Sequence, residues 1–200
     1  MKTAFRKTGM VLIILLMAAV VVTGCDANNN NNSDEAQPAE ETEEAAQQSI
    51  MQEDLVYENN FMSGIDMEVF WEFDEEQENL NMRLESPSAG WIAVGFEPST
   101  RMADAQIIIG GFEEDDVLAV EEHIGTGATS HEQIEESYID EYAGERDDEY
   151  TVIEFVIPLG EETRYDLTAG EEYEVILAYH DESDNFVQRH TQRTSENIEF

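Results

Sequence analysis

The stretch Gly90-Trp91-Ile92-Ala93-Val94-Gly95-Phe96-Glu97-Pro98, followed by Arg101-Met102-Ala103-Asp104-Ala105-Gln106-Ile107-Ile108-Ile109-Gly110, decides how the rest of the chain is read. Trp91 to Phe96 and Ala105 to Ile109 are short runs, apolar on both faces and bounded by Gly and Pro. Runs of that length and bounding are strands rather than helices. Outward from them the same period continues. Met67, Val69, Trp71 and Phe73 alternate with Glu68, Phe70 and Glu72, and Leu80, Met82 and Leu84 alternate with Asn81, Arg83 and Glu85. Val152 to Ile157 and Tyr173 to Tyr179 are further runs rich in β-branched and aromatic residues. Turn clusters at Pro87 to Gly90, Gly110-Gly111, Asp115-Asp116 and Asp181 to Asn185 separate these runs. The spacing predicts an all-β, antiparallel sandwich over residues 55–200. Glu132 to Glu149 is acidic and weakly periodic, and reads as a long loop with at most one helical turn.

The chain has 200 residues with 47 Asp+Glu against 9 Lys+Arg, a formal net charge of -38. Nucleic-acid binding is excluded, because it depends on Lys and Arg neutralising phosphates. A single Cys rules out an internal disulfide framework, a four-cysteine zinc site and a four-cysteine iron–sulfur cluster. That Cys stands at a telling place. Lys2, Arg6 and Lys7 precede an unbroken apolar run from Met10 to Val22, and Val22-Thr23-Gly24-Cys25 follows. The run is short for a membrane span and the right length for an export signal. The tetrapeptide resembles the lipobox of bacterial lipoproteins, which implies a signal peptide over 1–24, a lipid on Cys25 and an extracytoplasmic, membrane-held protein. Buried acyl chains hold such a protein at about 0.8 kcal/mol per CH2. Asp26 directly after the Cys resembles an inner-membrane retention signal.

Loss of residues 1–24 takes the charge from -38 to -41, since Lys2, Arg6 and Lys7 go with no acidic residue. The cations left are Arg83, Arg101, Arg146, Arg164, Arg189 and Arg193. So acidic a surface repels itself unless screened, and the Debye length falls to about 3 Å in 1 M salt. The composition resembles that of halophilic proteins, and the fold is expected to need salt. Residues 25–54 are rich in Asn, Glu, Ala and Gln and nearly lack large apolar residues. Such a segment reads as a disordered tether, because it cannot bury enough surface to offset its ordering entropy.

The 90–110 block resembles the DOMON domain: a Gly-Trp-aliphatic-aliphatic-Gly-Phe strand, a short loop with Met, then a small-Asp-aliphatic strand. Val120 to His131 is similar to a segment in a bacterial branch of that family. Ile176 to His180 and Phe186 to His190 fit its last strands. The resemblance implies an immunoglobulin-like sandwich that binds haem b or, in other members, sugars. Carried over, Met102 and His190 are the axial ligands of a haem iron, with His190 in the final strand or just before it. His180 competes for the imidazole role, since strand alternation alone leaves both open. Arg101, Arg189 and Arg193 flank the two ligands and suit haem propionates, which Arg recognises bidentately. The resemblance also implies an apolar slot, with Phe70, Trp71, Trp91 and Phe112 as candidates. With no Cys-x-x-Cys-His motif, the haem is b-type and held without covalent bonds. Met/His ligation leaves no open position on iron and suits electron transfer to a membrane or extracytoplasmic redox partner rather than catalysis. The alternative is a non-catalytic carbohydrate- or ligand-binding module on the cell surface, using exposed Trp or Tyr and the loop 121–131.

Other constellations carry less. His123 and His131 bracket Gly125-Thr126-Gly127 and could bind a metal with Glu121, Glu122 or Glu132, but the spacing fits no defensible motif. Glu113 to Asp116 and Asp181 to Asn185 hold oxygen ligands without fitting a calcium loop. No nucleophile elbow or phosphate-binding glycine loop is present in the sequence.

Overall fold

The computed structural model describes residues 57–200. The export segment, Cys25 and the tether therefore lie outside the described residues. The strands are β1 (Asn59–Met62), β2 (Glu68–Phe73), β3 (Asn79–Ser86), β4 (Ile92–Phe96), β5 (Gln106–Phe112) and β6 (Leu118–Gly127). They continue with β7 (Ser130–Gln133), β8 (Tyr142–Arg146), β9 (Thr151–Pro158), β10 (Glu172–Tyr179) and β11 (Gln192–Glu199). Two sheets form, in the orders β1-β2-β3-β9-β8 and β11-β10-β4-β5-β6-β7. Every pairing is antiparallel, so the architecture is the expected β-sandwich.

Register explains the core. In the five-stranded sheet, Val69, Leu84 and Ile153 lie opposite one another, as do Trp71, Met82 and Phe155. In the six-stranded sheet the rows are Ile92 beside Tyr179, Val94 between Leu177 and Ile108, and Phe96 beside Val175. All of these side chains are buried in one cluster between the sheets. Gly110 on β5 is required there, because a Cβ would stand 2.3 Å from Cδ1 of Ile153 on the opposite sheet.

Two expectations are corrected. The segment Glu132 to Glu149 is not one loop: β7 ends inside it and β8 runs along β9. Phe186 to His190 is not strand; it belongs to the connection between β10 and β11, and His190 lies just before the last strand.

The stretch from Ile134 to Ile139 packs onto the sandwich through a buried carboxylate. Glu122, only 1% exposed, points inward from β6. It accepts hydrogen bonds from the Tyr165 hydroxyl at 2.7 Å, the Ser137 hydroxyl at 2.6 Å, and the backbone N–H groups of Tyr138 and Ile139. Four donors offset the desolvation that a buried carboxylate would otherwise suffer. Burial and the Glu122 carboxylate raise the Tyr165 phenol above its ordinary range, so it stays a donor.

A candidate ligand cleft on the outer face of the six-stranded sheet

The strands β4, β5 and β10 are apolar on their outward face as well. Trp91, Ala93, Ile107, Ile109, Ile176 and Ala178 form a second buried cluster, separate from the core. Alternation dictates this: Ile92, Val94 and Phe96 face inward, so Ala93 and Gly95 must face outward. The outward residues on β4 and the end of β10 are small. Ala93 pairs with Ala178, and Gly95 with Ile176. A sheet face with little side-chain height leaves room above it, and a cleft of about 1170 Å³ lies there.

Two loops wall the cleft. β4 and β10 are antiparallel, with Phe96 opposite Val175 and Ile92 opposite Tyr179. The loop leaving β4 and the loop leaving β10 therefore rise from opposite ends of the floor. The first carries Arg101 and Met102; the second carries Arg189 and His190. All four line the cleft, together with Arg193 of β11. Arg193 pairs with Ala178 and so shares the outward face.

Each loop is held by its own bonds. In the first, Ser99 N–H donates to Ala103 O, and the Ser99 hydroxyl to the Asp104 carboxylate at 2.5 Å. Glu97, Arg101 and Asp104 adopt positive φ of 51°, 58° and 65°, a conformation uncommon outside Gly and Asn. Gly125 on β6 lets this loop dock. Its N–H donates to Ala105 O, its O accepts from Asp104 N–H, and a Cβ on it would stand 1.7 Å from Met102 O. In the second loop, His180 is the internal frame. Its Nδ1 accepts from the N–H groups of Glu182 at 3.1 Å and Ser183 at 2.9 Å, and its Nε2 lies 2.9 Å from Gln188 Nε2. Both ring nitrogens of His180 are thus engaged, and the residue does not line the cleft. Asp184 ties the loop to the body: Arg146 donates to it at 2.6 Å and to Asp116 at 2.7 Å.

Charge distribution singles the cleft out. Arg83 pairs with Glu85 and Glu154, and Arg146 with Asp116 and Asp184. Arg164 lies over the Tyr138 ring, away from the cleft. Arg101, Arg189 and Arg193 line the cleft and form no ion pair among the described residues. Burial, then the nearby Arg193 and Arg189, hold the His190 imidazole below its ordinary pKa of 6.5. The ring is accordingly neutral around neutrality, with a nitrogen lone pair to offer a metal.

The sequence named Met102, His190, Arg101, Arg189 and Arg193, and the structure brings all five to one cleft. The aromatic slot is corrected. Of Phe70, Trp71, Trp91 and Phe112, only Trp91 lines the cleft; Trp71 and Phe112 belong to the core between the sheets, and Phe70 sits on the other sheet. Trp91 Nε1 is buried without a hydrogen-bond partner among the described residues. Glu122 points into the core and cannot join His123 and His131 in a metal site. Among the described residues, no three His, Cys, Asp or Glu side chains are grouped to hold a metal ion. Sequence reasoning did not find the small residues of the floor or Gly125. Their signal is the Ala-x-Gly spacing on a strand apolar on both faces.

The family model described as the DOMON domain matches residues 64–180. No curated protein matches the chain. Among solved structures, the cytochrome b domain of pyranose dehydrogenase from Coprinopsis cinerea is similar, with a TM-score of 0.54 and 13% identity over 70% of this chain and 80% of that one. The cytochrome domain of Myriococcum thermophilum cellobiose dehydrogenase gives 0.53 and 10%, over 70% of this chain and 87% of that one. At such identities the likeness establishes the shared fold.

Proposed function

Because the chain belongs to the DOMON domain family, we propose that it is a haem b-binding electron-transfer domain, with Met102 and His190 as axial ligands. One observation carries the reading. In a chain of net charge -38, three arginines that form no ion pair among the described residues line the same cleft as a Met and a neutral His. Unpaired cations amid such an excess of carboxylates are suited to an anionic ligand that brings its own charges, as paired propionates do. The small, aliphatic floor of Ala93, Gly95 and Ala178 fits a broad flat group. The two similar solved structures are both named as cytochrome domains.

Haem, when bound, supplies a one-electron Fe(III)/Fe(II) couple. The chain's part is to hold and tune it. The Met102 thioether and the His190 imidazole would hold the iron, and thioether ligation would favour the reduced state. Arg101, Arg189 and Arg193 would receive the propionates. The aliphatic residues of the floor would exclude water from the bound group. His180 and Asp184 hold the loop that presents His190. No residue here acts as acid, base or nucleophile in this reading, so the domain passes electrons and performs no catalysis of its own. The proposal includes a lipid at Cys25 that keeps the domain at a membrane, outside the cytoplasm, with a redox partner there.

The test is spectroscopic. Protein produced with haem and purified in molar salt is expected to show a Soret band and sharp low-spin α and β bands on reduction. Met102→Ala should convert the spectrum to high spin, and His190→Ala should abolish stable haem uptake, while His180→Gln retains low-spin ligation. A colourless wild-type protein that binds glycans instead would favour the carbohydrate-binding alternative, for which the cleft offers one aromatic ring, Trp91.

A further inference from the structure

Beside the cleft, on β6 and β7, a chain of three side chains has no part in the proposed ligation. Glu121 Oε2 lies 2.9 Å from His123 Nε2, and His123 Nδ1 lies 2.9 Å from His131 Nδ1. His123 is 4% exposed, and His131 lines the cleft. The rings meet edge to face, with centroids 4.7 Å apart.

The bond pattern dictates the tautomers. A carboxylate only accepts, so His123 Nε2 must carry the hydrogen that it gives to Glu121. In the neutral pair, His123 Nδ1 is then a lone pair and accepts from His131 Nδ1–H. That leaves His131 Nε2 as the basic atom. It has no hydrogen-bond partner among the described residues and belongs to the one residue of the three that lines the cleft. The reverse arrangement of the shared hydrogen requires one more proton. A proton arriving on His131 Nε2 frees the His131 Nδ1 proton to cross to His123 Nδ1. The added charge then resides on His123, next to Glu121.

We infer that Glu121, His123 and His131 form a proton relay that takes up one proton at the cleft wall and stores its charge on buried His123 against Glu121. Resting on the haem reading, the relay couples that proton to the redox state. One electron from a one-electron reductant adds one negative charge to the cleft, and one proton from solvent enters at His131 Nε2. No other bond forms or breaks. The arrangement agrees with the surroundings. Burial and the neighbouring His123 hold His131 below its ordinary pKa of 6.5, against an opposing pull from Glu121, so the relay is unloaded at neutral pH until negative charge arrives. The other charged groups nearby are Arg101 and Asp104 on the Met102 loop, exposed Glu132 on β7, and Arg189, His190 and Arg193 across the cleft. None of them hydrogen-bonds to the three among the described residues.

Imidazole ¹⁵N NMR on the ligand-free protein reads the relay directly. The expected result is an unprotonated His131 Nε2 at high pH, and one shared titration step in which His131 Nε2 and His123 Nδ1 gain protons together. Glu121→Gln keeps an acceptor but removes the counter-charge, and should move that step about one unit to lower pH. In His123→Leu, His131 should titrate alone. Separate steps for the two rings, a protonated His131 Nε2 above the step, or no shift in Glu121→Gln would overturn the relay. With haem loaded, the midpoint potential should fall as pH rises across the step, and the break should follow the Glu121→Gln shift. A loaded protein whose potential ignores that step would overturn the coupling. Failure to take up haem would overturn the proposed function and the coupling with it, while the relay itself is still decided by the imidazole spectra.

Discussion

The six-stranded sheet has two apolar faces with different fates. Inward, Leu177, Val94 and Ile108 meet a second sheet and are packed closed. Outward, one residue along each strand, Ala178 and Ala93 meet no sheet but two loops, and a cleft remains. Apolar composition alone thus fails to distinguish core from site. What distinguishes them is height: long side chains interdigitate and fill a gap, whereas a floor in which Ala93, Gly95 and Ala178 interrupt the larger Ile107, Ile109 and Ile176 leaves a gap for a ligand. The same contrast separates adjacent carboxylates. Glu122 satisfies four donors inside the fold, while Glu121 faces the other way and meets a single imidazole.

Paired substitutions on the two faces test this. Leu177→Ala opens a cavity in the close-packed core and should lower unfolding free energy by about 2 to 5 kcal/mol, measured by urea denaturation in molar salt. Ala178→Leu, one residue on, places its added side chain in the open cleft and should cost less stability than Leu177→Ala, yet prevent haem uptake by filling the floor. Equal stability losses in both would erase the distinction between faces.

Glycines give a sharper version. Gly110→Ala drives a methyl against the end of the Ile153 side chain, which can turn, at a cost of about 1 to 3 kcal/mol. Gly125→Ala drives one against the Met102 backbone carbonyl, which can only move with its loop. The expected outcome is a protein that still folds but whose haem spectrum becomes high spin, because Met102 is displaced. A low-spin Gly125→Ala protein would show that the loop does not depend on that close approach.

A smaller effect separates the arginines. Arg189→Gln or Arg193→Gln should weaken haem affinity about tenfold each through loss of a charge-assisted bond, with little change in stability. Arg83→Gln, which strips Glu85 and Glu154 of their partner, should do the reverse and cost about 1 kcal/mol of stability or less. Haem titrations and urea midpoints on the same variants decide it.

The smallest effect is with pH. Burial and its two arginines hold the folded His190 pKa below the ordinary 6.5 at which the unfolded chain protonates. The unfolded state therefore binds more protons in that window, and stability rises with pH up to about 6.5 and is level above it. Urea midpoints from pH 5 to 8 should follow this slope in wild type and show a shallower one in His190→Asn. The remainder comes from His131, lowered by burial and His123.

Hydrophobic alternation located β2 and β3, and short apolar runs rich in β-branched and aromatic residues located β4, β5, β9 and β10, which was enough to propose a sandwich, because each has large apolar residues on a buried face. It passed over β1, β7, β8 and β11. All four are sheet edges, where a strand meets solvent and polar residues are favoured. β6 was obscured because Glu122 occupies an inward position that a hydrophobe would normally mark. Of the cleft, Met102 and His190 were implied only by the resemblance to the DOMON domain, whereas the three clustered arginines stood out by themselves, because cations are rare in so acidic a chain. It left His180 and His190 undecided, and it pointed to Phe70, Trp71 and Phe112 for a slot. Neither matter has a local answer. A side chain's parity follows from its own strand, but whether that face is covered, and by what height of neighbours, depends on a second sheet and on loops arriving from residues far away in the chain.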